Sequence, residues 1–271
     1  MKKEKDPSYF DLAANTPARN GGKQTSAFLR RNANEIRRYR VTRKIILIAI
    51  AILFAFLMVL YGFALIYDRT GRFTVQVKGH GDQRITLCSN ELFIDTTETL
   101  IYETKNGEKG ESIGLTDICG LRDIPENVYE HQGGDHSNSN FFAYTFFCKN
   151  LSDTPCGMQY EMNYSNVEHG MDECVRVRIY ASVAETGYFD YKDYAKRTPS
   201  GDMDVECDKA FANNYDTVCY ELLNNVPGQG IAKFTILIWI EGDDKECKDS
   251  VINGMMKFSM KITAVDAEQF G

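Results

Sequence analysis

Two acidic runs come closest to a chemical site in this sequence. The first, DMDVECD, sets Asp202, Asp204, Glu206 and Asp208 at every second position. The second gathers Glu241, Asp243, Asp244, Glu246 and Asp249 directly after an apolar run. Calcium takes about six to eight oxygen ligands, so closely spaced carboxylates on a loop suit it. The first run has the spacing that begins an EF-hand loop, but not its glycine at the sixth position or its glutamate at the twelfth. The competing reading of each run is a solvated acidic loop that keeps a strand edge from pairing. Calcium is the one cofactor the sequence suggests. For Trp239 and Glu241 the expectation is strand packing, with Trp239 in the core and Glu241 at its rim.

Histidine offers less. His80, His131, His136 and His169 include no HExxH, and His131 and His136 stand five apart in a Gly/Asp/Ser-rich stretch. Two zinc ligands on one helix face would be four apart. No G-x-S-x-G and no P-loop is present. The expectation is a protein without catalytic residues, not an enzyme.

The eight cysteines are Cys88, Cys119, Cys148, Cys156, Cys174, Cys207, Cys219 and Cys247. An even number confined to one side of an apolar segment reads as a disulfide framework on an exported domain. Cys148 with Cys156 and Cys207 with Cys219 are the local candidates. No paired Cys/His spacing of a zinc site accompanies them.

That apolar segment organises the chain. Ile45 to Tyr67 is 23 residues without a charge. At 1.5 Å per residue it makes roughly 34 Å of helix, enough for a hydrocarbon core of about 30 Å. It is too long and too far from the start for a signal-peptide h-region, and no small-residue cleavage site follows it. A single-pass signal-anchor is expected. Seven basic residues between Arg30 and Lys44 face one acid, Glu35, which puts the N-terminus in the cytoplasm and the larger part outside.

Residues 1–44 carry 12 basic and 4 acidic side chains, net +8; the chain from Asp68 onward is net -15. An acidic domain lacks the clustered Lys and Arg that phosphate backbones require, so nucleic acid is excluded as a partner. The basic tail, 1–44, reads as largely disordered and suited to anionic headgroups.

Residues 68–271 read as one extracellular β-domain. Phe73–Lys78, Ile85–Leu87, Leu92–Ile94, Leu100–Glu103, Phe141–Cys148, Met158–Tyr164, Val175–Val183, Val218–Leu223, Lys233–Glu241 and Met256–Val265 have strand character. VRVRIYASV and KFTILIWIE alternate with period two, as a half-buried sheet requires. With no amphipathic helix among them, an antiparallel sandwich or jelly roll is expected. A long polar insertion near 105–140 reads as an excursion over the surface.

The runs FFAYTFFCKNLSD (141–153), MQYEMNY (158–164), CVRVRIYASV (174–183) and KFTILIWIEGDDKEC (233–247) resemble the TasA/camelysin group of surface and biofilm-matrix proteins of Gram-positive bacteria. The resemblance implies a jelly-roll domain, export to the cell surface and fibre formation by strand exchange between subunits. Camelysins in that group are described as surface metalloproteases. This chain departs from the group in keeping its anchor and in its many cysteines, and a tethered, cross-linked domain exchanges its first strand only if clipped. The functional expectation is a membrane-anchored structural or adhesive protein of the bacterial surface. Its expected partners are the membrane, further copies of itself in an oligomer or fibre, other surface proteins and cell-wall polymer. The alternative is an extracytoplasmic ligand-binding or sensor module.

Overall fold

A computed structural model describes residues 38, 41–61, 73–82, 84–102, 115, 117–204 and 207–267. The chain divides into two compact units, 1–65 and 66–271. In the first, helix α1 (Val41–Tyr61) is 21 residues, apolar on every side from Ile45 onward and long enough to cross a membrane. It begins four residues before the expected span. Residues 62–67 of that span, and the tail apart from residues 38 and 41–44, lie outside the described residues.

The second unit is a sandwich of two sheets. Its strands are β1 (Phe73–Lys78), β2 (Ile85–Cys88), β3 (Thr99–Ile101), β4 (Gly134–Asp135), β5 (Phe141–Asn150) and β6 (Cys156–Ser165). There follow β7 (Val175–Val183), β8 (Tyr188–Ala195), β9 (Lys209–Ala210), β10 (Thr217–Val226), β11 (Ile231–Ile240) and β12 (Lys257–Asp266). One sheet has the order β10-β6-β12-β1-β3 and the other β2-β5-β11-β7-β8-β9, with β4 added against β5. Stripped of the short strands, these are the two four-stranded sheets of a jelly roll.

The expected antiparallel pairing holds except at two places. β1 runs parallel to β12, and β9 parallel to β8. Leu92–Ile94 is a turn rather than a strand, with Leu92 and Ile94 exposed. β8, which sequence pattern missed, forms a full antiparallel pair with β7 from Arg176↔Ala195 to Val183↔Tyr188.

Period two sorts the large sheet into an inner and an outer face. Phe142, Tyr144 and Phe146 of β5, Val177 and Ile179 of β7, and Phe234 and Ile236 of β11 point inward to a core completed by Phe73, Met162 and Ile262 of the other sheet. Rings meet edge to face across the two layers: Phe73 with Phe142 at 5.5 Å and Tyr160 with Phe234 at 5.5 Å. Such pairs are favoured by the ring quadrupole, which sets a positive edge against a negative face.

The outer face carries a second, smaller core. Residues 117–140, the described part of the insertion, lie along this face with short 3-10 turns at Leu121–Asp123 and Val128–Glu130. Ile124 and Val128 pack on Phe141, Ala143, Leu237 and Trp239. The described part of the insertion thus runs over the surface of this sheet with apolar contacts of its own. Gly133, at φ +130°, lets it turn close to the chain: a Cβ there would sit 2.2 Å from the carbonyl oxygen of Ser89.

Candidate ligand site on the outer face of the large sheet

The two acidic runs do meet in space, but around an arginine. Arg176 points outward from β7 with its side chain 2 % exposed, and donates to Asp204 and, at 2.6 Å, to Asp244. A guanidinium occupies the place where these two carboxylates converge. The other acids are separately engaged. Asp202 accepts from Ser200 at 2.8 Å, Asp208 from the Asp193 N–H at 2.9 Å, and Glu241 from the Trp239 indole at 2.9 Å. Asp243 pairs with the exposed Arg122 at 3.1 Å. The Glu246 N–H donates to Asp244, Asp249 opens a short 3-10 turn, and Glu206 lies outside the described residues. Among the described residues no three His, Cys, Asp or Glu side chains are grouped to hold a metal ion. Trp239 is buried as expected, but under the insertion rather than between the sheets, and Glu241 is buried beside it instead of lying at a rim.

All eight cysteines are thiols in this structure. Cys148 lies beside Cys156, and Cys174 and Cys247 are within hydrogen-bonding contact. Cys88 and Cys119 stand beside Phe147 and Asn140, seven residues apart along β5 and its lead-in, which is roughly 24 Å at 3.4 Å per residue. Cys207 neighbours Arg176 and Asp193, whereas Cys219 neighbours Tyr194 and Met162, so that local candidate pair has separate surroundings. Burial, and then Glu241 and Asp123, push the Cys119 thiol up to about 11, which disfavours the nucleophilic thiolate.

His131 and His136 stack with centroids 4.1 Å apart and planes 7° apart. The His136 Nδ1 shares a hydrogen with the Gly134 carbonyl at 3.2 Å, and its Nε2 is buried without a partner. Burial lowers His136 to about 4, with the Gly134 bond opposing and His131 adding to the drop. Between pH 4 and 6.5 the folded state therefore binds fewer protons than the unfolded one, and stability rises with pH across that window. Denaturation midpoints should fall as pH is lowered through it, and His136→Phe should flatten that slope. An equal slope in the variant would refute the assignment.

Among the described residues, an aromatic cleft next to the insertion has the concave geometry of a binding site. Tyr180 and Ser182 of β7, Phe189 of β8, Lys233 and Thr235 of β11, and Tyr129 and Glu130 of the insertion line a pocket of about 190 Å³. That is below the roughly 300–1,000 Å³ of drug-sized sites, so it takes one ring-sized group of a larger ligand. Tyr129 lies 4.8 Å from Phe189 and 5.6 Å from Tyr180, and Tyr191 lies 5.4 Å from Tyr180. Phe189 and Tyr191 are 48 % and 46 % exposed, an unusual position for large rings on a strand face.

Arg178 holds this cluster in place. It grips Asp193 with two bonds of 2.5 and 2.6 Å, donates to the Tyr180 hydroxyl at 3.1 Å, and lies over the Tyr191 ring at 4.8 Å. A planar fork fixed by a carboxylate makes a rigid base for rings. Thr145 and Thr235 share a buried hydrogen bond of 2.7 Å in the floor. Lys233 is pulled below the usual ammonium range by burial, against the pull of Glu91 and Glu130. The cleft thus offers ring faces, one ammonium, one carboxylate and hydroxyls.

Sequence reasoning missed these residues because YFDYKDYA mixes aromatic and charged side chains without a strict apolar/polar period of two. The available signal was Phe189 and Tyr191 two apart in a polar run, which a strand puts on one face.

No family model matches the chain, and no curated relative does. A solved structure that does match is the carbohydrate-binding module TmCBM61 in complex with β-1,4-galactotriose. The match has 11 % identity and a TM-score of 0.22, and covers 42 % of this chain and 66 % of that one. A likeness this slight carries no weight for fold or ligand. It is not to the TasA/camelysin group.

Proposed function

We propose that this protein is a surface-displayed binding module, held at the membrane by a single helix and presenting a ligand site on the outer face of its large sheet. The carrying observation is the half-exposed ring cluster of Phe189 and Tyr191, fixed from below by Arg178 and walled by Tyr129. Rings kept at a surface cost solubility, and a rigid scaffold beneath them marks a contact site. The apolar α1 supports anchoring, and the basic tail before it supports a cytoplasmic N-terminus with the sandwich outside. The module binds and does not catalyse. Fibre formation by exchange of the first strand is the weaker reading, because β1 is already paired on both edges, with β12 and with β3.

The test is retention on isolated cell-wall polymer by the full chain in lipid nanodiscs, compared with a Phe189→Ala/Tyr191→Ala variant of equal melting temperature. Retention should fall at least tenfold. Equal retention by the variant, or none by either protein, would overturn the reading.

A further inference from the structure

We infer that the cleft takes a neutral saccharide ring, stacked on Phe189 and Tyr129 with its hydroxyls toward Lys233, Glu130 and Ser182; this rests on the binding-face reading above. The site lies in the middle of a sheet. Lys233 and Thr235 are on β11, paired with β5 and β7, and Tyr180 and Ser182 are on β7, paired with β11 and β8. The main chain beneath Lys233, Thr235, Tyr180 and Ser182 is spent on the ladder, whereas β8 pairs with β9 only at Tyr194 and Ala195, so its edge at Phe189 has no strand partner among the described residues. The cleft itself offers a ligand only side chains.

Those side chains have a definite chemistry. Aromatic faces are electron-rich and attract the polarised C–H bonds that a pyranose presents on one side. The same ring carries hydroxyls at its edge, each both donor and acceptor. They match a lining that has a donor in Lys233, an acceptor in Glu130 and hydroxyls in Ser182 and Thr235. Lys233 and Glu130 leave the lining itself without net charge, and Glu91 also acts on Lys233, so the cleft is not built for a polyanion. The volume fits a single ring. The row from Tyr129 through Phe189 to Tyr191 carries the aromatic surface beyond the pocket, toward where a neighbouring sugar would lie.

The experiment uses the full chain in nanodiscs prepared without glycosidic detergent. Probes are neutral galactan, glucan and mannan oligosaccharides, a uronic-acid oligomer of equal length and a proline-rich peptide. At least one neutral oligosaccharide should bind and compete with wall polymer. Its affinity should drop at least tenfold in Phe189→Ala and in Tyr129→Ala, and stay within twofold in Tyr220→Ala, whose ring is exposed on the other sheet. The uronic-acid oligomer should bind no tighter than the neutral one. If wall retention depends on Phe189 but only the peptide or the uronic-acid oligomer competes, the saccharide proposal fails and the binding face stands. If a neutral sugar binds equally to wild type and Phe189→Ala, both fail.

Discussion

Arg176→Met should destabilise the β-unit by about 3–5 kcal/mol, the cost of removing one partner from a buried ion cluster. The guanidinium is held between Asp204, from the loop after β8, and Asp244, from the loop after β11. Methionine approximates its volume but leaves two carboxylates facing each other, and the Asp244 side chain is only 2 % exposed. The pH dependence of the loss identifies its cause. In wild type, burial raises Asp244, but hydrogen bonds from Glu246 and Arg176 outweigh it and hold the carboxyl below its usual range. That contribution is complete above the unfolded carboxylate value and fades as pH falls through the folded one. In the variant Asp244 loses the Arg176 bond and keeps the burial that raises it, so protonation relieves it. The gap between variant and wild type should therefore shrink as pH drops from 7 toward 4. Urea unfolding followed through the single tryptophan, Trp239, measures this directly. A pH-independent gap would mean lost packing, not orphaned charge.

Trp239→Ala should cost a similar amount, about 3–5 kcal/mol, for two reasons that can be separated. The indole fills the small core between Leu237, Phe141 and the insertion, and its N–H is a partner of the buried Glu241. Trp239→Phe keeps most of the ring and removes only that donor, so it should cost about 1–3 kcal/mol. The consequence for binding is more telling. Ile124 and Val128 rest on this core, and Tyr129 and Glu130 follow Val128 directly. Loosening the core should displace one wall of the cleft, so ligand affinity should fall in Trp239→Ala more than in Trp239→Phe at temperatures where both are folded. Thermal melts by circular dichroism, read beside binding, distinguish this coupling from simple unfolding.

The residues that spoke most clearly in the sequence are those under a strict period. Phe234, Ile236 and Ile238 alternate with Lys233, Thr235 and Leu237, and β11 is found where the pattern puts it. The same alternation conceals a two-sided burial. Leu237 and Trp239 sit on the face that would ordinarily meet water, and only the insertion folding back over it makes a second core. Nothing local in GLRDIPENVYE announces which sheet Ile124 and Val128 will cover, since that is decided by contacts more than a hundred residues away. The acidic runs were visible, but their common partner was not. Arg176 looks like one polar residue of an alternating strand until Asp204 and Asp244 are brought to it. The ring cleft was hidden for a related reason, because it draws on four separate elements.

The pairing of β1 with β12 constrains how the molecule comes into being. Residues 73–78 pair with the nearby β3 on one edge but find their other partner only in β12, so that edge of β1 waits for residues 257–266. During vectorial synthesis the small sheet stays incomplete until β12 has emerged. Contacts of such long sequence separation make closure slow, because loop entropy is lost before they can form. A ribosome that stops early releases a chain with an open sheet edge and an uncovered core. Emergence of β12 is thus the step that commits this domain to its folded state.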